Sequence, residues 1–215
     1  MEARPIRMAA AAICVREGAG GPEVLVVERG AGSRFLPGYL VFPGGAVDAE
    51  DEAHAGRWFR DGAHADRAAA IRELIEEAGL ALTAAGLVVA DPDEPFARVD
   101  ALPPLVGQLT EIAHWIAPRD VPVRFDARYF AVGARTPVAP RPDGEEAVRA
   151  WWASPRRLMA AWSEGLHKLY WPTFFTMGHL AACASVEQML SLSFDTREPT
   201  DEEIATLPRS VMEDR

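Results

Sequence analysis

Two cysteines, Cys14 and Cys183, are all that the 215 residues contain. They lie far apart, and no Cys-x-x-Cys occurs. That excludes a thiolate zinc site and a disulfide-stapled scaffold, and it fits a reducing compartment. No apolar run reaches the roughly 18 residues of a membrane span. Met8–Val15 is as apolar as a short signal core, but Glu2, the missing small-residue cleavage site and the following Arg16-Glu17 favour a buried strand. The expected location is therefore the cytoplasm. Basic charge is also in short supply: 22 Lys plus Arg stand against 32 Asp plus Glu, a balance of 22 − 32 = −10. Without a basic stripe to displace counterions, nucleic acid is excluded as a partner, and so is a membrane. A phosphate-rich small molecule stays open where local arginine or a divalent metal offsets the acidic field. There is no Gly-x-Ser-x-Gly elbow and no glycine-rich phosphate loop ending in Lys-Ser or Lys-Thr.

What is present is ordinary globular composition, 49% hydrophobic and 25% charged. At roughly 150 residues per domain, the length fits a single domain over 1–215, with neither an internal repeat nor a linker. Met8–Val15 and Glu23–Glu28 flank the turn signal Gly18–Pro22 and read as a hairpin. Tyr39–Phe42 is a third run, ended by Pro43-Gly44-Gly45. Further strand-like runs are Ala81–Ala90, Leu109–Ile116, Ala127–Gly133 and Ala147–Ala153. Asp66–Leu80 reads as a helix closed by Gly79. Pro155–Trp162 and Pro172–Leu192 have helical spacing, while Asp195–Arg215 is acidic and aperiodic, the pattern of a frayed tail. Strands around one central helix, with a helical extension after them, predict an α/β sandwich on a mixed sheet.

The segment Arg72-Glu-Leu-Ile-Glu-Glu-Ala-Gly-Leu80 carries the chemistry. On a wheel with Glu73 at the origin, Glu76 falls at about 300° and Glu77 at about 40°, so three carboxylates share one stripe. Ile71, Leu74, Ile75 and Ala78 fall on the opposite face. Like charges at this spacing destabilise a helix by a few tenths of a kcal/mol per pair, and the helix C-terminus disfavours anions as well. A sequence that accepts both penalties is built to bind something cationic. Hard oxygen ligands suit Mg²⁺ or Mn²⁺, and such clusters hold polyphosphates and activate water against phosphorus.

Arg72–Leu80 resembles the REUxEExGU half of the Nudix box (U an aliphatic residue) at every fixed position, and Phe42-Pro43-Gly44-Gly45 resembles the loop that opens it. The likeness covers about Met8 to Pro155. It implies a Nudix-type α/β/α sandwich and a diphosphatase that cleaves a nucleoside diphosphate linked to another moiety, using Mg²⁺ or Mn²⁺. Carried over by position, it implies Glu73, Glu76 and Glu77 as metal ligands, Gly45 as a carbonyl donor, and Arg72 as the group that orients the carboxylates.

One feature departs from the pattern. A regular box places fourteen positions between its glycine and its arginine, whereas Gly45 to Arg72 spans 72 − 45 = 27. The insertion falls within about Glu52–His64, and either Asp51 pairs with Arg72 across it or the pairing is lost. Interrupted boxes resemble those of the branch related to peroxisomal coenzyme A diphosphatases. The coenzyme A signature of some Nudix enzymes is similar here at Leu25, Arg29, Arg34, Gly38 and Phe42–Gly45, with departures at Val26, Val27 and Gly30. This implies Arg29, Arg34 and Gly38 as substrate-binding residues, the arginines for a 3′-phosphate or the diphosphate, and Arg124–Phe130 also looks like that branch. The substrate expectation is coenzyme A or an acyl derivative. The alternatives are a nucleotide sugar or a dinucleotide such as NADH or ADP-ribose, or a silent nucleotide-sensing module. Outside the box, Glu111, Glu145 and Glu146 stay open as catalytic base, His54 and His64 read as surface-loop residues, and Trp58 and Phe59 are candidates for a lid. The extension after Pro155 either packs on the sheet or serves a homodimer.

Overall fold

A computed structural model describes residues 6–117, 124–135, 137–193 and 200; the expected frayed tail lies outside them, Thr200 apart. The apolar runs form strands β1 (Ile6–Gly18) and β2 (Gly21–Arg29), joined by a hairpin, then β3 (Tyr39–Val41) and β4 (Gly44–Ala46). Helices α1 (Ala49–Trp58) and α2 (Ala65–Ala78) follow, then β5 (Leu80–Thr83), β6 (Gly86–Val89) and a short α3 (Ala97–Ala101). β7 (Thr110–Ile116), β8 (Arg124–Gly133) and β9 (Ala147–Ala153) complete the central strands. The last elements are α4 (Pro155–Ser163), β10 (Lys168–Leu169), α5 (Trp171–Ala182) and α6 (Val186–Leu190).

The strands form a mixed sheet in the order β10-β3-β2-β1-β8-β7, with β4 added to β1 and β9 to β2. Its mixed character comes from β1–β8 and β10–β3, which run parallel, while the other pairs are antiparallel. The first two strands part company along their length. β2 pairs with β1 only from Val24 back to Gly21, and β1 then turns to β4 through Ala9–Ala11, while β2 turns to β3 through Val27 and Glu28. The Phe42-Pro43 connection between β3 and β4 sits in that fork, tied by the Ala12 N–H donating to Pro43 O at 2.8 Å. The Pro-Gly-Gly segment is thereby held between two diverging strands.

The alternation along β1 assigns the two faces. Ala10, Ala12 and Cys14 pack under α2 with Ile71, Leu74 and Ala78, and small residues let that helix lie close. Ala11, Ile13 and Val15 face the other way, against Leu158, Met177, Leu180 and Cys183 from α4, α5 and the turn after α5. The molecule is an α/β/α sandwich, and the extension packs on the sheet. Both cysteines are free and buried, one in each layer, and burial pushes both thiols upward.

Two runs differ from expectation. Ala81–Ala90 is not one strand but a β5–β6 hairpin, because Gly86 turns with φ 115°. Pro172–Leu192 is not one helix: Cys183 is extended (φ −70°, ψ 142°), and Ser185 starts α6 by accepting the Gln188 N–H. No helix among the described residues is long and apolar enough to cross a membrane.

Candidate functional site

α2 lies across the fork with its last two turns over β4. Gly79 ends the helix at φ 62°, donating its N–H to Ile75 O at 2.9 Å, so Glu73, Glu76 and Glu77 occupy the turns nearest the glycine strand. The contact there is tight. A Cβ on Gly44 would lie 2.6 Å from Ala11 Cβ and 2.7 Å from Ala10 O, and one on Gly45 would overlap the Glu73 carboxylate. The Gly44 N–H donates to Glu77 Oε2 at 3.0 Å. A side chain at Gly44 would run into the neighbouring strand β1, and one at Gly45 into the Glu73 carboxylate, so both positions favour glycine.

Arg72 is buried beneath this cluster, and every donor nitrogen has an acceptor. Nε and Nη2 donate to the two oxygens of Asp51 at 3.0 and 3.2 Å. Nη1 donates to Glu73 Oε1 and Glu76 Oε2, both at 2.8 Å, and Nη2 also reaches Ala46 O at 2.9 Å. The pairing that the insertion put in question therefore exists. Asp51 sits in the first turn of α1, is fully buried, and also accepts the Asp48 N–H at 2.8 Å. The insertion is folded as α1 and a 3₁₀ turn at Gly62–His64, and its first turn returns the acid to the arginine.

Arg29 joins the same network from the end of β2. Its Nη1 donates to Glu77 Oε1 at 2.9 Å, its Nη2 to Glu146 Oε1 at 2.7 Å, and its Nε to Phe35 O at 3.0 Å. Its guanidinium is thus turned onto carboxylates rather than left open to a phosphate. Arg34 is exposed, and Gly38 (φ 74°) turns the chain into β3, donating its N–H to Arg29 O. Of the three acids outside the helix, only Glu146 is brought to the cluster. Asp143 caps the N–H groups of Glu145, Glu146 and Ala147, and Gly30 lets that loop come close: a Cβ there would meet Glu145 O at 2.5 Å. Glu111 pairs with Arg128 instead, and Glu145 is exposed. The sequence signal for Glu146 was the Asp-Gly-Glu-Glu turn, which does not reveal which strand it will meet.

The aromatic and histidine expectations in the insertion change. His54 is buried, stacked on Trp58 at 4.6 Å and beside Phe96 at 4.8 Å, so it is no surface-loop residue. Burial, then Arg57, lowers its pKa. Trp58 is 3% exposed and donates to Asp100 Oδ1 at 2.7 Å, which makes it core rather than lid. His64 is half-buried at the end of the 3₁₀ turn, edge-on to Phe59 at 5.7 Å.

The electrostatics follow from crowding. Burial, opposed by Arg72, pushes Glu73 up to about 7. Burial and the neighbouring Glu73 push Glu77 up to about 8, against the pull of Arg29 and Gly44. Burial raises Glu76 as well, though Arg72 opposes it. Burial alone would lower Arg72, but the Asp51 hydrogen bond and the flanking glutamates raise it. Asp51, Glu73, Glu76, Glu77 and Glu146 are bonded to only two guanidiniums, Arg29 and Arg72, a formal 2 − 5 = −3. As the side chains stand, no three His, Cys, Asp or Glu groups among the described residues converge in the manner of a filled metal centre, because the carboxylates are drawn onto the arginines. The donor set still fits a hard divalent cation. It consists of oxygen, is partly desolvated, is short of positive charge and borders a carbonyl strand without side chains.

Comparison with known proteins gives the same picture. The NUDIX domain family model matches residues 6–171. The crystal structure of a NUDIX hydrolase from Alicyclobacillus acidocaldarius is similar at a TM-score of 0.76 and 31% identity, covering 89% of this chain and 98% of that one. A Caenorhabditis elegans protein named "Putative nudix hydrolase 7" is 33% identical over 120 residues, which cover 50% of this chain and 38% of that protein.

Proposed function

Because the chain belongs to the NUDIX family, we propose that it hydrolyses the diphosphate linkage of a nucleoside diphosphate derivative with the help of Mg²⁺ or Mn²⁺. The observation that carries this is the carboxylate helix bonded to the glycine strand, with five carboxylates on two arginines. Glu73, Glu76, Glu77 and the Gly45 carbonyl would hold the ion. When bound, it offsets charge on the diphosphate and lowers the pKa of an attacking water. Arg72 is a positioning residue: anchored on Asp51, it fixes the Glu73 and Glu76 carboxylates along the helix. Arg29 fixes Glu77 and brings up Glu146, the acid we assign to take the proton from the attacking water. The Gly44 N–H fixes the second oxygen of Glu77.

Coenzyme A or an acyl derivative is the first substrate to assay, on the signature residues Arg29, Arg34 and Gly38. The engagement of Arg29 by Glu77 and Glu146 leaves Arg34 as the free cation of that pair, which favours a second reading, a nucleotide sugar or dinucleotide without a 3′-phosphate. We assign the protein to the cytoplasm on its unpaired cysteines. A phosphate-release screen with Mn²⁺ across coenzyme A, NADH, ADP-ribose and nucleoside triphosphates tests the reading, and binding without turnover would point to a sensing module. Glu77→Gln should cut turnover by roughly a thousandfold, the equivalent of ~4 kcal/mol of transition-state stabilisation, with the fold intact by circular dichroism. Undiminished hydrolysis by that variant would sink the assignment.

A further inference from the structure

Glu146 reaches the carboxylate cluster from an exposed loop. Its side chain is 59% accessible and meets the cluster through the hydrogen bond from Arg29 Nη2 at 2.7 Å. A side chain so exposed is not fixed by packing, so its place is set by the backbone that carries it. That backbone is tied at both ends. At its start the Arg141 N–H donates to Ala78 O at 2.7 Å, in the last turn of α2, and a Cβ on Gly79 would lie 2.5 Å from Arg141 O. At its end the Gly30 N–H, one residue beyond β2, donates to Glu146 O at 2.9 Å. One tie is to the helix of Glu73, Glu76 and Glu77, and the other is to the strand end that carries Arg29. Between them the chain reverses at Gly144, at φ 83°, whose N–H donates to Ala147 O at 2.9 Å.

Asp143 closes this reversal from within. Its Oδ1 accepts the N–H groups of Glu145 at 3.1 Å and Ala147 at 2.9 Å, and its Oδ2 accepts that of Glu146 at 3.2 Å. An aspartate suits the position because its short side chain reaches back to N–H groups a few residues on. Both oxygens are used, and an amide in the same place would offer only one. Asp143 is itself exposed and belongs to neither hydrophobic layer. What its carboxylate does is local: it fixes three consecutive amides, and the middle one is that of Glu146.

We propose that Asp143 is the positioning residue that presents Glu146 to the attacking water; the proposal rests on the diphosphatase reading above, with Glu146 as the acid that takes the proton. Glu146 is held on both sides of its Cα, by its N–H on Asp143 and by its carbonyl on Gly30. Its side chain therefore starts from a fixed point beside the end of β2, where Arg29 Nη2 meets it. Arg29 orients the carboxylate, and Asp143 fixes the backbone from which it reaches. A reacting group misplaced by about 1 Å loses on the order of a hundredfold in rate, so a small relaxation of this loop is enough to be read in turnover.

The test measures steady-state kinetics of the full chain with Mn²⁺ on whichever of coenzyme A, NADH and ADP-ribose is turned over. Asp143→Ala should lower kcat roughly 10- to 100-fold with KM nearly unchanged. Asp143→Asn should recover part of that loss, since one acceptor oxygen remains. Glu146→Gln should lower kcat by about 100-fold or more. In that background Asp143→Ala should cost less than about twofold, because the group it positions is already gone. A second readout needs no turnover: in EDTA, NMR-detected hydrogen exchange should show the Gly30 and Glu146 amides losing protection in Asp143→Ala. An unchanged kcat in Asp143→Ala, a loss confined to KM, a full additional loss in the Glu146→Gln background, or unchanged amide protection would overturn the proposal. A wild-type protein that hydrolyses none of the three compounds would defeat the diphosphatase reading instead. Lost amide protection would then still show Asp143 holding Glu146 in place, and retained protection would refute it.

Discussion

A carboxyl group among aliphatic side chains and other carboxylates resists losing its proton, and Glu77 does so with a backbone N–H and an arginine both opposing it. At about 8 for Glu77 and about 7 for Glu73, the folded protein keeps protons that an unfolded chain releases near pH 4.3. Between those values the native state binds more protons than the unfolded state, so its stability falls as pH rises. The metal-free protein should therefore melt lower at about pH 8.5 than at about pH 6, by roughly 2–4 °C for each kcal/mol lost. Glu77→Gln should flatten that slope and raise the alkaline melting temperature, as scanning calorimetry in EDTA would show. The shared placement of Glu73, Glu76 and Glu77 on α2 was legible because a helix wheel is local. Arg29 and Glu146 were not legible in the same way, since their partners lie 48 and 117 residues away in sequence.

At the scale of elements, α1 serves as more than a spacer. It lengthens the connection between glycine strand and carboxylate helix, yet its first turn supplies the buried acid that the arginine needs. Removing one partner of a buried ion pair costs about 3–5 kcal/mol, because the other charge is left desolvated. Asp51→Ala should therefore lower unfolding free energy by about that amount in urea titrations, and turnover should fall as Arg72 loses its anchor. The spacing exposed the insertion, but only the fold shows that Asp51 is turned inward rather than to solvent. Strand-like and helical runs elsewhere were placed well where composition is uniform, as in Ala147–Ala153. The break at Cys183–Ser185 carries neither glycine nor proline, so a long helix was the natural expectation. The β5–β6 turn did carry Gly86, but the apolar residues on both sides of it masked the reversal.

At the scale of the whole molecule, the main sheet lies between unlike layers. α2 on one face gathers the carboxylates and so accounts for part of the −10 net charge; the opposite layer of α4, α5 and α6 is aromatic and aliphatic. Each layer holds a single thiol, and these two thiols make a clock. Cys14 lies inside β1 with no exposed surface, whereas Cys183 is 9% exposed and follows the last turn of α5. Local opening requires far less free energy at the periphery of a fold than at its centre. A pulse of iodoacetamide followed by mass spectrometry should alkylate Cys183 while the helical layer breathes and reach Cys14 only when the sheet itself comes apart. Each protein molecule thus carries two built-in timers, one for each side of its own sheet.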